Sequence, residues 1–202
     1  MTTGLRDSIK PSGHLEITKI YKDGHHEVVY SQHNIITVGM GINLSELFAA
    51  AESSDPLQNS MESYKIKYFQ IGTGGDGVTS ASSLTSLGTP CTLGQYGTNP
   101  DIDVFSHNLW QNGAIAQKAF AAIKDEYTSK SGSTGVSFKF DIGIDVANGV
   151  GIDELGIFAS DPFRRLWTAD KVRASVLCAY RKFPEISKTN DFALSFKWTI
   201  TF

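Results

Sequence analysis

Two stretches of strict alternation constrain this chain more than anything else in it. Val136, Phe138, Phe140, Ile142, Ile144 and Val146 alternate with Ser137, Lys139, Asp141, Gly143 and Asp145. Near the C-terminus, Phe192, Leu194, Phe196, Trp198, Ile200 and Phe202 alternate with Ala193, Ser195, Lys197, Thr199 and Thr201. Successive side chains of a strand point to opposite faces, so period two with one apolar side marks a half-buried antiparallel strand. A chain of 202 residues that is 41% hydrophobic can bury one sizeable core. With 19 glycines, 11% aromatic and only 19% charged residues, it is a turn-rich sheet protein rather than a helical bundle. The fold class expected is mainly β, an antiparallel β-sandwich with one or two accessory helices.

Other segments fill in this plan. Met1 to Ser12 is polar and reads as a flexible N-terminal arm, with residues 13–202 as a single sandwich domain. His14 to Tyr21 and His26 to Ser31 are β-prone runs around Lys22-Asp23-Gly24-His25, a hairpin turn in which Asp-Gly supplies positive φ. Leu44, Leu47, Phe48 and Ala51 are spaced as one face of an amphipathic helix over Gly41 to Ala51 that ends by Ser53. Tyr64 to Ile71 is a strand running into a dense glycine turn, Gly72 to Gly77. From there to Asn108 the chain has no sustained period, a length of loop that tends to be functional or ordered by a neighbour. Ala114 to Tyr127 fits a helix face and a strand about equally. The Val136 strand is expected to turn at Asn148-Gly149 and return beside itself through Ile152 to Phe158.

The charge balance narrows the function. A net charge of −3, with no basic tract beyond the pairs Arg164-Arg165 and Arg181-Lys182, argues against a nucleic-acid partner. No stretch approaches the run of about 20 apolar residues that a membrane helix needs. Met1 to Gly13 has no apolar core of signal-peptide length, so the expectation is a protein kept in the cytosol unless it leaves inside a larger particle. Cys91 and Cys178 lie far apart among apolar or small neighbours and are expected to be buried free thiols.

No constellation for chemistry stands out. Gly72, Gly74 and Gly77 match G-x-G-x-x-G after a strand, but Val78-Thr79-Ser80-Ala81-Ser82-Ser83 is a poor helix start, so the phosphate-binding helix N-terminus is missing. His14, His25, His26, His33 and His107 form no zinc-type spacing. Asp101 with Asp103, and Asp141, Asp145 with Glu154, are the candidate acids; Asp141 and Asp145 lie on the polar face of a strand, the ordinary place for solvated charge. Tyr96, Phe105 and Trp110 are the loop aromatics a glycan-binding module would use. No catalytic residue, cofactor site or metal site is expected.

One set of residues carries a resemblance. Glu154, Gly156 and Phe158, then Phe183-Pro184-Glu185-Ile186-Ser187-Lys188-Thr189, then Trp198-Thr199-Ile200-Thr201-Phe202 are similar to the closing motif of a family of tailed-bacteriophage virion proteins. That family is associated with tails, baseplates, collars or fibres. The His33-Asn34 element, the helix from Gly41 and the strand into Gly72-Thr73-Gly74 also resemble it, whereas Met1 to Ser12 and Gly88 to Asn108 match nothing diagnostic. The resemblance implies a non-enzymatic structural subunit, assembled in the host cytoplasm into the virion. Its partners would be copies of itself, as a homo-oligomer, and neighbouring virion proteins, with no nucleic acid and no membrane. A capsid decoration protein and a receptor- or glycan-binding module are the alternatives. Glu154 and Lys188 are expected as polar anchors near the closing strands, and Phe158, Phe183, Trp198 and Phe202 as core.

Overall fold

A computed structural model describes residues 11–48, 64, 66–79, 82–91, 118–119, 128–130, 133–159 and 176–202. Among these, nine strands and one α-helix follow in the order β1 (Ser12–Tyr21), β2 (His26–Ile36), α1 (Val38–Phe48), β3 (Ile66–Gly72), β4 (Lys118–Ala119), β5 (Thr128–Lys130), β6 (Ser133–Ile142), β7 (Gly151–Ala159), β8 (Val176–Ser187) and β9 (Phe192–Thr201), with a single 3₁₀ turn at Gly75–Gly77 after β3. They join in one antiparallel sheet ordered β4-β3-β7-β8-β2-β1-β9-β6-β5. The sheet is not flat. β3 and β6 stand six places apart, about 29 Å in a flat sheet, yet the rings of Phe69 and Phe140 stack with centroids 4.1 Å apart. The two halves therefore fold over each other as the layers of a sandwich, as the composition and alternation foretell.

β2 makes the corner. Gly13 to Ile20 of β1 pair with it over most of its length, while its last residues, Ile35 and Ile36, pair with Tyr180 and Ala179 of β8 in the other layer. Val29 is the extra residue where the β1–β2 register shifts, a bulge that adds the bend a strand needs to change layers. From His26 to Asn34 the edge of β2 away from β1 has no partner strand among the described residues.

Between the layers lies one core. β9 supplies Leu194, Phe196, Trp198 and Ile200, all fully buried, between Leu15 and Ile17 of β1 and Phe138, Phe140 and Ile142 of β6. Across from them stand Phe69, Ile71, Leu155, Ile157 and Ala179. The C-terminal strand is thus central rather than peripheral. At roughly 1.5–3 kcal/mol per buried large apolar side chain, β9 alone contributes several kcal/mol.

The hairpin expected at Asn148-Gly149 does not form. β6 pairs with β9 and β5, and β7 pairs with β3 and β8, so the two lie in different layers. Alternation continues past Ile142 in the sequence, but the strand stops there and Gly143 to Val150 carries the chain across the sandwich through turns with positive φ at Ala147 and Gly149. Ile142 and Val146 are both buried, the latter as a plug in the crossing rather than a strand residue.

Three further expectations need correction. Phe202 lies past the end of β9 and is 43% exposed, so it is not core. Phe48 is 84% exposed; α1 starts three residues earlier than expected, and Met40, Asn43, Leu44 and Leu47 form its inward face. The ambiguous segment Ala114 to Tyr127 has strand backbone at Lys118–Ala119, its only described residues, paired with β3. β1 begins at Ser12, one residue inside the expected arm; residues 1–10 and Ala51 lie outside the described residues.

Candidate functional site

β7 is buried on both sides, a pattern a sandwich strand shows only when something covers its outer face. The cover is the glycine-rich segment after β3. Tyr68, Phe158, Leu177 and Tyr180 point outward from their layer and form a second small core with Leu87, joined by Val78 and Leu84. Pairing of Gly72 with Glu154, of Gln70 with Gly156 and of Tyr68 with Phe158 puts the whole Glu-x-Gly-x-Phe motif on this covered face.

Each member of the motif has a task there. Glu154 is fully buried, and its carboxylate accepts hydrogen bonds from the backbone N–H groups of Thr89 at 2.7 Å, Gly88 at 2.8 Å and Gly74 at 3.2 Å, and from the Tyr180 hydroxyl at 3.0 Å. Four donors saturate it, which is how a buried charge becomes tolerable. Next to it, Asp153 accepts the Gly75 N–H at 2.9 Å. Gly72 must lack a side chain because its Cβ would fall on the Glu154 carboxylate, and a Cβ on Gly74 would lie 2.5 Å from the Thr89 nitrogen. At Gly156 a Cβ would meet Leu87 Cδ1 at 2.6 Å and Leu177 Cδ1 at 2.7 Å, so glycine lets the covering leucine sit down on the sheet. Phe158 completes the floor.

The glycine run therefore does bind an anion, and the anion is the protein's own. Successive backbone N–H groups make a concavity for negative charge, and here Glu154 and Asp153 occupy it. That removes Gly72, Gly74 and Gly77 as a nucleotide site on geometric grounds. The electrostatics agree: burial first, then the Glu154 charge, raises the Tyr180 phenol above its usual range, and burial raises the Asp153 carboxyl.

Lys188 is the second buried charge. Its ammonium donates to the carbonyl oxygens of Ile144 at 3.0 Å and Thr189 at 2.6 Å and to Asn148 Oδ1 at 3.0 Å, and it lies 5.3 Å from the centre of the Phe192 ring. Its backbone also bonds Val150 and Gly149. The side chain thus holds the crossing segment between β6 and β7, and burial brings its pKa down to about 8. Phe183, Pro184 and Glu185 stand opposite the single residue Asp153, where the β7–β8 register jumps. Phe183 is buried against Tyr30, with ring centroids 5.6 Å apart. Pro184 is exposed in the bulge, where its missing N–H costs no ladder bond.

Reactive chemistry finds no support in these groups. Asp141 and Asp145 are exposed, away from the buried Glu154, so the three carboxylates do not converge. Cys91 and Cys178 are buried free thiols, each pushed up to about 12 chiefly by burial. His14 and His33 sit opposite each other on β1 and β2, ring centroids 5.6 Å apart and edge to face, while His25 and His26 are exposed at the hairpin. Among the described residues no group of three or more His, Cys, Asp or Glu is placed to hold a metal ion. Asp101, Asp103, His107, Tyr96, Phe105 and Trp110 lie outside the described residues. Sequence reasoning missed Gly88, Thr89 and Asp153: the first two hold Glu154 through backbone N–H groups, which leave no side-chain signature, and Asp153 accepts the Gly75 N–H from the position where the β7–β8 register jumps.

Comparison with known proteins finds no matching family model, no matching curated protein and no matching solved structure.

Proposed function

We propose that this chain is a non-enzymatic structural subunit of a tailed-phage virion, of its tail, neck or collar, baseplate or fibre region, which self-associates and docks on neighbouring virion proteins. The reading rests on the resemblance of the closing motif, whose buried members Glu154, Gly156, Phe158, Phe183, Lys188 and Trp198 are spent on holding the fold rather than on a substrate. The observation that carries the assembly part is the open edge of β2. A row of backbone groups from His26 to Asn34 without a partner strand among the described residues, with Val28 57% exposed beside it, is what a second chain pairs with or covers. β8 runs alongside across a groove of about 650 Å³ lined by Tyr30, Gln32, Arg181 and Phe183, and its own edge is interrupted by Pro184.

Light scattering over a concentration series, followed by negative-stain imaging, tests the reading. A ring or small oligomer of defined size is expected; a monomer at every concentration overturns self-association.

A further inference from the structure

We propose that His14 and His33 form a chelating site for a divalent transition-metal ion of the kind that prefers imidazole, on the outer face of the β1–β2 pair and independent of the assembly reading. Register sets the site. His14 of β1 stands directly opposite His33 of β2. The neighbouring ladders fix which way the two backbones point. Lys22 N–H donates to the Asp191 carbonyl in step with the β1–β9 pairing, so His14, an even number of residues away, turns its own N–H and C=O towards β9. Likewise Thr37 N–H donates to the Cys178 carbonyl in step with the β2–β8 pairing, so His33 turns its backbone groups away from β1. The two histidines are therefore a non-hydrogen-bonded pair, the kind in which facing side chains come closest, with Cα atoms about 4.5 Å apart. Their ring centres lie 5.6 Å apart.

That spacing suits a shared ion. Two imidazoles on one metal, with bonds of about 2.0–2.1 Å, hold their ring centres about 4.5–5.2 Å apart, a closure that side-chain rotation supplies without moving either strand. A second observation concerns the ring nitrogens. His14 Nε2 lies 2.9 Å from Ser31 Oγ. With the proton on Nε2, that nitrogen donates to the serine and the lone pair is left on Nδ1; a histidine held through one nitrogen and free to ligate through the other is the usual arrangement at metal sites. His33 is exposed and His14 half-buried, so the pair is an open chelate whose remaining coordination positions take water. The donors select the ion. Two neutral nitrogens with no thiolate or carboxylate favour Cu²⁺, Ni²⁺ and Zn²⁺ over Mg²⁺ and Ca²⁺, which require oxygen, and the order of stability puts Cu²⁺ first. His25 and His26 supply an internal comparison, because they are consecutive at the hairpin and His25 is stacked on Tyr21.

Calorimetric titration of the full chain at neutral pH with CuCl₂, NiCl₂ and MgCl₂ tests the site. Saturable binding of Cu²⁺ is expected, with Ni²⁺ weaker and Mg²⁺ silent. His14→Asn and His33→Asn are each expected to lower Cu²⁺ affinity by about tenfold or more, because the second imidazole acts at the high effective concentration that the first provides. The double variant His25→Asn/His26→Asn is expected to bind as the parent does. Unchanged thermal midpoints of the metal-free variants check that each keeps its fold. Absence of saturable Cu²⁺ binding overturns the proposal, as does undiminished affinity in either single variant. A loss confined to the His25→Asn/His26→Asn chain places binding at the hairpin and overturns it as well.

Discussion

At the scale of single residues, stability in this molecule hangs on two buried charges, Glu154 and Lys188, that are satisfied for the most part by groups distant in sequence. Replacing Glu154 with Gln keeps the shape but turns one acceptor oxygen into a donor facing backbone N–H groups, so at least one donor loses its partner inside the protein. The expected loss is about 2–4 kcal/mol, read as a lower denaturant midpoint. Lys188→Met strands the carbonyls of Ile144 and Thr189 and the Asn148 side chain, with a loss of similar size. The lysine also makes stability depend on pH. Its ammonium ionises near 8 in the folded chain against 10.5 in the unfolded one, so between those values the unfolded chain holds more protons. Stability contributed by this group therefore rises with pH from about 8 to 10.5 and is flat outside that window. Denaturation curves at pH 7.5 and 10 are expected to differ less in Lys188→Met than in the parent.

At the scale of elements, close approach of backbones decides what fits where. α1 follows the corner strand after one residue, Thr37, whose hydroxyl donates to the Leu177 carbonyl. Gly39, in the first turn, lies so near β8 that a Cβ there would collide with the same carbonyl and meet Val176 Cγ1 at 2.6 Å. Gly39→Ala is therefore expected to push the helix off the sheet and cost about 1–3 kcal/mol, despite the better helix propensity of alanine. Gly41→Ala is the control, because nothing lies within 4 Å of its Cβ position and the change is expected to be neutral or mildly stabilising. Thermal unfolding of the two variants separates packing from propensity.

At the scale of the whole molecule, the curled sheet leaves one edge of β2 from His26 to Asn34 without a partner strand among the described residues. Val28→Lys places a charge on that edge without touching the core, so the change in monomer stability is expected to stay within about 0.5 kcal/mol. If the edge is the assembly surface, the same change shifts scattering mass towards the monomer at concentrations where the parent is oligomeric. Unaltered mass would place self-association on another face.

The sequence by itself determined the class of fold, the β1–β2 hairpin through Asp23-Gly24, the inward face of β9 and the burial of both cysteines, because these depend on local period and turn chemistry. Glu154 and Lys188 stood out within a motif, but not what they hold. Only the tertiary structure decided that β6 and β7 part into different layers, that Phe202 overshoots the core and that the glycine run closes on the protein's own carboxylate. Period two says which side of a strand is apolar, whereas strand neighbours are chosen by how two layers fill one core, a sum over residues far apart in the chain.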